Sequence, residues 1–443
     1  MSQLTRRGAL KLGAGAAAAS ALLASATRPA DAAVDLRFSP EPGAALRILR
    51  WDAFVPGEET AWAEMSREFS EQTGVAVSLE SAPWPSMQGR ASEAVRAGSG
   101  PDIIFGFYDD PHLYPDQLVD LTILATYLGE KYGGWYPVCE RYGTIKGRWI
   151  ALPLATAGTS MVYRRSHAAA AGFEEFPQDM DGFLRLCQGL ATNGTPPGFS
   201  LGHAVGDANT FVHWLLWAFG GRLVDVGQNV VIDSSQTRAA LEYARQLYQT
   251  FVPGTTAWLD PDNNEAFLSE AISLTQNGLS IYDAARNATD PAVQSMAEDI
   301  AHAYMPVGPV GTPTELYIFF QAMVPGYCRF PNAAMEYLRF MWEREQYERW
   351  QQAANGYHSQ TLRAYEDNRI WRADPQYAVY KDATARMLWN GFAGELGPAS
   401  AQAMAEFIVV DMFAQAASGE RSVRDATARA AQRANPIYQQ HRL

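Results

Sequence analysis

Hydrophobic positions in the first quarter of the chain alternate between a helical spacing and strand-like runs. Around Trp62, Met65 and Phe69 they recur at i, i+3 and i+7, which predicts a helix that ends at Gly74. The apolar run at residues 102–105 is typical of a strand buried on both faces of a parallel sheet. With the neighbouring segments, the predicted order is strand, helix, strand, helix, strand, at residues 46–51, 62–74, 75–79, 87–97 and 102–105. This order indicates a doubly wound α/β lobe.

A second α/β region is predicted after residue 150. Strand-like segments at 150–153 and 159–163 flank the small residues Ala155, Ala157 and Gly158, which suit a crossing between lobes. Further elements are amphipathic helices at 181–190 and 236–251, strands at 271–275 and 318–324, and mostly helices after Pro331. We expect hinge crossings near 155–159, 307–311 and 332–336. Lobe 1 would then comprise 33–156 and 307–334, and lobe 2 would comprise 157–306 and 335–443 with the C-terminal helices.

The first 32 residues have the pattern of a bacterial export signal. Arg6 and Arg7 precede an Ala-rich stretch at 12–26, and Ala30-Asp31-Ala32 is a small-x-small cleavage site. The stretch is too short and too weakly apolar to span a membrane comfortably. The paired arginines resemble a twin-arginine signal, so we expect a periplasmic protein. The alternative is an arginine-containing N-terminus without targeting meaning.

Composition and charge narrow the class of protein. The 443 residues are 47% hydrophobic and 12% aromatic, which supports a substantial core and argues against disorder. A net charge of −13 would repel phosphate, so a nucleic-acid partner is disfavoured. Cys139, Cys187 and Cys328 lack metal-ligand spacing and are predicted to be buried thiols. The alternative is that two of them form one disulfide in an oxidising compartment.

Catalytic motifs are absent from the sequence after the signal. It contains no GxxxxGK[ST], GxGxxG, HExxH or GxSxG segment. Residues 260–264 superficially suggest a calcium loop, but Glu265 and Ala271 replace the Gly and Glu that such a loop needs, so a helix cap at 265–268 is predicted. We therefore predict no catalytic residue, no metal and no cofactor. An exported lyase or hydrolase acting on carbohydrate stays open, because glycosidase carboxylates leave no reliable spacing signal.

Aromatic residues that directly follow predicted strands are the first candidates for ligand binding. Trp51-Asp52 and Tyr108-Asp109 combine a ring with a polar group, and Trp84 lies in a Pro-Trp-Pro segment after the second strand. Ligands of open α/β sheets bind outside the carboxyl ends of the strands, where rings can cover the apolar face of a sugar. Core packing is the alternative for any single Trp.

Five stretches resemble the family 1 extracellular solute-binding proteins, the receptors of sugar ABC importers that include maltodextrin-binding protein. They are FSEQTGV at 69–75, AGSGPDII at 97–104, GTIKGRWIALP at 143–153 with MVYR at 161–164, EAFLSEAISLTQNG at 265–278, and MPVGP at 305–309 with AASG at 416–419. The resemblance implies an α/β, two-lobed periplasmic-binding-protein fold with discontinuous lobes, a hinge and an interlobe ligand cleft. It also implies a monomer that delivers its ligand to the membrane permease subunits of an ABC importer.

The same resemblance places Asp52, Asp109, Asn277 and residues 209–213 at the cleft. It also shows departures: Leu279-Ser280 stands where the family often has Trp, and the stacking position before AASG falls at Glu406. A long maltodextrin is therefore disfavoured, and a mono- to oligosaccharide, polyol or sugar acid is expected, with a non-sugar ligand left open. The predicted ligand-binding residues are Trp51, Asp52, Trp84, Phe107, Tyr108, Asp109, Asn209, His213, Asn277, Tyr282, Arg286 and Tyr317. Of these, Arg286 and His213 lie where they could meet an acid group, and the alternative for Arg286 is that it only solvates the loop at 284–288.

Overall fold

A computed structural model describes residues 35–441 of the chain. The predicted export signal at 1–32 lies outside the described residues. The strands are β1 Ala45–Trp51, β2 Ala76–Ala82, β3 Ile103–Phe107, β4 Thr144–Ile145, β5 Arg148–Trp149, β6 Leu152–Ala157, β7 Ser160–Arg164, β8 Leu274–Asn277, β9 Ile300–Ala303, β10 Ile318–Met323 and β11 Ser359–Gln360.

The α-helices occupy about half of the remaining described residues. They are α1 Pro56–Thr73, α2 Trp84–Ala97, α3 Thr122–Lys131, α4 Pro137–Gly143, α5 Arg165–Ala170, α6 Met180–Thr192, α7 Asp207–Ala218, α8 Ser235–Tyr248, α9 Asp262–Leu268, α10 Ser280–Arg286, α11 Pro291–Met296, α12 Pro331–Met341, α13 Arg344–Ala353, α14 Ala383–Arg386, α15 Pro398–Ala405, α16 Ile408–Ser418 and α17 Val423–Gln440.

Two separate sheets organise the fold. The first sheet has six strands in the order β11-β6-β10-β3-β1-β2. Its β1 pairs in parallel with β2 and β3, whereas β10 is antiparallel to both β3 and β6. The second sheet has the order β8-β7-β9 and is antiparallel throughout. The doubly wound prediction therefore holds for the N-terminal part of the first sheet, and the returning strand β10 makes that sheet mixed.

The first helix follows directly from the sequence pattern. Pro56 begins α1 and Gly74 ends it at φ 75°, a left-handed conformation that glycine adopts without strain. Trp62 and Phe69 on its apolar face are buried against α12, where the Trp62 indole N–H donates to the Tyr337 hydroxyl at 2.9 Å. The predicted spacing thus produces the face that packs α1 onto the first sheet.

The chain passes from the first sheet to the second between β6 and β7. Gly158 lies in this crossing, and a Cβ there would be only 2.7 Å from the Cβ of Ala383, so only glycine fits the close packing. The chain returns to the first sheet between β9 and β10. These crossings describe the path of the chain, and the lobe boundaries given above stay predictions.

The expected third crossing at residues 332–336 is wrong. Those residues lie within α12, which packs against α1 and β1. The following helix α13 also packs on α1, and β11 pairs with β6, so the chain stays with the first sheet well beyond residue 335. The apolar side chains of α12, with Tyr337 and Leu338 fully buried, hold it there. Only later do α16 and α17 pack with α7 and α8 beside the second sheet.

Two further features bear on the protein's class. All three cysteines are buried and unpaired, as predicted. Among residues 35–441, no helix combines the length and apolar character that crossing a bilayer requires.

The core of the first sheet contains a buried ionic cluster. Glu58 in the first turn of α1 accepts from Arg50 at 2.8 Å and contacts His358 Nε2 at 2.9 Å. Although burial alone would raise the pKa of Glu58, His358 and Arg50 hold it below its usual range. The Arg50 guanidinium also lies 4.0 Å from the centre of the Trp62 ring. This cluster ties β1, α1 and the segment before β11 together.

We predict that Glu58→Gln destabilises the protein by about 3–5 kcal/mol, because it leaves the buried Arg50 cation without a carboxylate. The free energy of unfolding would be measured by denaturant titration. Glu71→Gln is the matched control, since Glu71 forms a solvent-exposed pair with Arg67 and its loss should barely change stability. Equal stability of Glu58→Gln and the wild type would contradict the importance of the cluster.

Candidate functional site

A cavity of about 300 Å³ lies between elements of the two sheets. On one side are Trp84 at the start of α2, and Phe107 and Tyr108 at the end of β3; on the other is Asn209 in α7. Helix α15 closes the cavity together with Phe407, which follows Glu406 just after the end of that helix. We call this cavity the central cavity. Its size is at the lower end of the range for small-molecule sites.

Two smaller cavities adjoin the central cavity. The first, which we call the carboxylate pocket, shares Trp84 with it and is lined by Phe54, Trp84, Asp207, Asp260, Asn264, Asn277, Ser280, Ile318 and Tyr357. The second shares Asn209 and Met404 with the central cavity and contains His213. We call these three adjoining cavities together the cleft.

Trp84 joins the core to the cleft. It begins α2 instead of standing in an isolated turn after β2, and its side chain is only 5% exposed. Its indole N–H donates to the Asp52 carbonyl at 2.9 Å, and its ring stacks on Phe107 with 4.8 Å between centroids. One part of the ring is therefore fixed by packing while another part lines both the central cavity and the carboxylate pocket.

Tyr108 is held in an unusual conformation at the wall of the central cavity. Its φ is +46°, and its backbone N–H donates to Phe319 at 2.7 Å while its carbonyl accepts from the Gln321 amide at 2.5 Å. These bonds to β10 hold the backbone where a non-glycine residue is strained. The hydroxyl is buried and has no hydrogen-bond partner among the described residues. A buried hydroxyl without a partner is uncommon, and Tyr108 is one of the residues that line the central cavity.

The start of α7 is fixed by one carboxylate. Asp260 accepts the backbone N–H groups of Val205, Gly206 and Asp207 at 2.8, 2.8 and 2.9 Å. This arrangement satisfies N–H groups that a helix leaves unpaired at its N-terminus. Burial raises the pKa of Asp260, and burial together with the nearby Asp260 charge raises that of Asp207. The sequence prediction treated 260–264 only as a helix cap; Asp260 in fact caps α7 across space.

The amides beside Asp207 form a closed network. The Asn277 side chain accepts from the Gly278 N–H at 2.6 Å and from Ser280 at 3.0 Å, and its amide donates to Asn264. The Asn264 amide in turn donates to the Ser280 hydroxyl at 2.9 Å. Asn277 lines the carboxylate pocket, and its side-chain amide is hydrogen-bonded within the protein.

Asp109 connects the loop after β3 to the C-terminal region. Its carboxylate accepts from the Asn390 amide at 2.7 Å and from the Ser400 hydroxyl at 2.5 Å. Burial raises its pKa to about 7 and that of the adjacent Asp110 to about 6. Asp109 is thus a connection within the protein beside the cleft, and Asp110 is the carboxylate that lines the central cavity.

Several other predicted residues lie away from the cleft lining. Trp51 and Tyr317 are buried in the core, because Trp51 packs on Phe320 at 4.5 Å and the Tyr317 hydroxyl donates to Glu315 at 2.7 Å. Asp52 is exposed and contributes its carbonyl to Trp84. Tyr282 and Arg286 both bind Asp374, at 2.7 and 3.2 Å. Because α10 directs them to that carboxylate, neither lines the three cavities.

Sequence reasoning missed several residues that do line the cleft. They are Phe54, Gln88, Asp110, His203, Asp207, Tyr357 and Phe407. Phe407 follows Glu406, so the aromatic wall that the departure at Glu406 seemed to remove is supplied one residue later. Asp207 could have been found from its place two residues before Asn209. Tyr357 carries no local signal, since only the pairing of β11 with β6 brings that segment to the cleft.

A larger groove of about 1060 Å³ lies beside the cleft, between α4 with the β4–β5 hairpin and residues 227–229 and 395–400, and shares Ser400 and Tyr438 with the cavity that contains His213. Tyr438 and His441 are the aromatic rings among its lining residues, and the Arg141–Glu395 ion pair crosses it at 3.1 Å. A site for small organic ligands needs an apolar wall with convergent polar groups. The cleft has both, so we take the cleft as the candidate site. Among residues 35–441 no cluster of His, Cys, Asp or Glu is arranged to hold a metal ion.

We predict that Asp109 lowers the stability of the unliganded protein as the pH rises from 5 to 8, while buried histidines such as His213, whose pKa is lowered to about 4, change stability in the opposite direction up to about pH 6.5. The pKa of Asp109 is about 7 in the folded protein and about 3.9 when unfolded, so its contribution is complete below about pH 4 and is lost as the pH rises through 7. Asp109→Asn should reduce this loss by about 2–3 kcal/mol. Unfolding at both pH values would be measured for both proteins.

Asp116→Asn, which removes an exposed carboxylate, is the control and should retain the wild-type pH dependence. An unchanged pH dependence in Asp109→Asn would show that this carboxyl is ionised throughout the range.

Solved structures with the same fold include sugar-binding proteins of bacterial transporters. The maltose-bound MalE3 of T. maritima has a TM-score of 0.76 and 18% identity, covering 89% of this chain and 100% of that chain. The sugar transporter from Arthrobacter chlorophenolicus A6 with bound laminaribiose has a TM-score of 0.77 and 16% identity, covering 89% and 99%. The solute-binding protein from Thermotoga lettingae TMO with bound α-D-tagatose has a TM-score of 0.72 and 17% identity, covering 89% and 100%.

At these identities the likeness establishes the fold: two α/β lobes of discontinuous chain with a ligand cleft between them, as predicted. No curated protein sequence matches the chain. The family is established separately, because residues 64–379 match the family model of the bacterial extracellular solute-binding proteins. The chain belongs to the bacterial extracellular solute-binding protein family.

Proposed function

We propose that the protein is an exported receptor that captures a small carbohydrate in the cleft and delivers it to an ABC importer. The observation that carries the proposal is the central cavity itself. It places the Trp84 and Tyr108 rings on one side, and the Asn209 amide on the other. Rings cover the apolar face of a sugar, while amides, hydroxyls and carboxylates bind its hydroxyl groups.

Structural relatives support the same ligand class. Maltose, laminaribiose and tagatose are bound in the three proteins described above, which share this fold. Because fold alone does not determine function, the ligand class rests on the cavity of this chain together with that support.

Capture requires no covalent chemistry. Water in the central cavity is displaced, and its hydrogen bonds are replaced by those from the sugar to Tyr108, Asn209 and Asp110. The Tyr108 hydroxyl gains most from this exchange because it has no partner in the described protein. The ligand would therefore leave the cleft unchanged.

Export, oligomeric state and partner are part of the proposal. The paired arginines at the N-terminus support the twin-arginine route to the periplasm. We propose that the protein acts there as a monomer and that the permease subunits of an importer receive the ligand.

Isothermal calorimetry and thermal shift with neutral mono- and oligosaccharides test the function. Binding of a sugar should raise the melting temperature, and mass spectrometry should recover that sugar intact after prolonged incubation. Conversion of the bound sugar would favour the alternative, a carbohydrate-active lyase or hydrolase. Absence of binding to every sugar would contradict the ligand class.

We predict that Tyr108→Phe weakens sugar binding by about 0.5–1.5 kcal/mol while the unliganded protein keeps or gains stability. The reason is that the variant removes a hydroxyl whose only hydrogen bond would be to the ligand. Calorimetry gives the affinity, and thermal denaturation gives the stability.

Tyr337→Phe is the matched control. It also removes a tyrosine hydroxyl, but the Tyr337 hydroxyl is hydrogen-bonded to Trp62 at 2.9 Å and to Ser66 at 2.7 Å. The variant should therefore lower stability and leave affinity unchanged. If Tyr108→Phe behaves like this control, the Tyr108 hydroxyl belongs to the core and not to the ligand site.

A further inference from the structure

The charged side chains that line the cleft are acidic. Asp110 lines the central cavity, and Asp207 and Asp260 line the carboxylate pocket. None of the residues lining the three cavities in the described chain is a lysine or arginine. His203, on the rim, has 59% of its side chain exposed and already contacts Asp411 at 2.8 Å.

Arg286 and His213, the two candidates for binding an acidic ligand, do not fit that role. Arg286 is bound to Asp374, outside the cleft lining. His213 donates to the Asn209 carbonyl at 2.8 Å, and burial lowers its pKa to about 4, so its ring is neutral at pH 7. Burial and the nearby Asp260 charge raise the pKa of Asp207, so an ammonium beside it would stabilise its ionised form, whereas a sugar acid would bring a further negative charge without a cation to balance it.

Asp207 is the carboxylate with capacity left for a ligand. Asp260 has both oxygens occupied by three backbone N–H groups of the α7 start. Asp207 is 7% exposed, and the amide of the nearby Asn263 donates to the Gln276 carbonyl at 3.1 Å. The neighbouring amides are bonded to one another, so the open acceptor of the carboxylate pocket is the Asp207 carboxylate.

Aromatic rings complete the surroundings of Asp207. Phe54 and Trp84 meet edge to face with 5.1 Å between centroids, and Tyr357 lies 6.3 Å from Phe54. All three line the carboxylate pocket with Asp207. A carboxylate among aromatic faces is the environment that stabilises an organic cation, because ring quadrupoles and the carboxylate both attract positive charge.

The size of the carboxylate pocket and a second polar group agree with this chemistry. The pocket holds about 10 Å³, about the room for one water-sized group, which fits an ammonium and not a carboxylate or phosphate. The adjoining central cavity of about 300 Å³ has room for the sugar ring. There the buried, unpartnered Tyr108 hydroxyl provides an independent contact for that ring.

We propose that the cleft selects sugars that carry an amine, with the ammonium group between Asp207 and the rings of Phe54, Trp84 and Tyr357, and that it rejects sugar acids. The proposal rests on the carbohydrate function given above and specifies its ligand class. Asp207 is then the residue that determines specificity by charge.

Calorimetry with a matched panel tests the proposal. The panel contains glucose, galactose and mannose, their 2-amino forms and their uronic acids, with cellobiose and its 2,2′-diamino counterpart as disaccharides. The amine of at least one configuration should bind about tenfold or more tighter than its neutral partner, and the uronic acids should not bind.

Variants then assign the preference to a residue. Asp207→Asn should reduce amine affinity about tenfold, to the level of the neutral sugar, while neutral-sugar affinity changes little. Asp207→Glu keeps the charge and should keep the order of affinities, and Asp116→Asn, which removes an exposed carboxylate, should bind like the wild type. Melting temperatures establish that each variant is folded. If Asp207→Asn does not fold, the wild-type protein with the same panel of sugars still tests the amine preference.

The outcomes separate this proposal from the carbohydrate function. Tighter binding of neutral sugars or of uronic acids overturns the amine preference and leaves the carbohydrate function standing. An amine preference that survives in Asp207→Asn overturns the assignment to Asp207. Binding of none of these sugars contradicts the carbohydrate function, and the amine preference falls with it.

Discussion

The cleft depends on the hydrogen bonds that the Asp260 carboxylate accepts. One side chain on the segment before α9 accepts three backbone N–H groups at the beginning of α7. Without Asp260, those N–H groups would be buried without a hydrogen-bond partner. This costs free energy, because water cannot reach them to replace the missing bonds. With them satisfied, α7 can begin inside the protein, and its first turn presents Asp207 and Asn209 to the cleft. The polar half of the site is therefore a consequence of how a buried helix end is capped.

The apolar half of the cleft has a different origin. Trp84, Phe107 and Phe320 pack on one another at the carboxyl end of β3, so the first sheet ends in an aromatic cluster whose outer surface becomes the wall of the cavity. The backbone bonds of Tyr108 to β10 set the position of its ring against this cluster. The aromatic rings at the end of the first sheet and the capped helix α7 beside the second sheet are both held in place by the protein. A ligand can therefore bind between them with little loss of side-chain entropy.

Local pattern predicted what local forces determine. The helix around Trp62, Met65 and Phe69 and its end at Gly74 follow from spacing and from glycine, and both are present as expected. Trp84, Phe107 and Tyr108 all line the central cavity, because a strand end fixes the position of the residues after it. Tyr357 and Asp260 were missed as site residues because their positions depend on contacts across the fold, through β11 pairing and the cap on α7. Tyr282 was misplaced because its partner Asp374 lies 92 residues away in the chain, where no sequence spacing indicates it.

A crystal structure of the protein with a bound sugar tests the central claim most directly. The account predicts an intact sugar in the central cavity, with a ring face against Trp84, the Tyr108 hydroxyl within hydrogen-bond distance of the ligand, and Asn209 contacting it from the opposite side. A sugar found instead in the groove between α4 and residues 395–400, or a cleaved sugar in the cleft, would contradict the account.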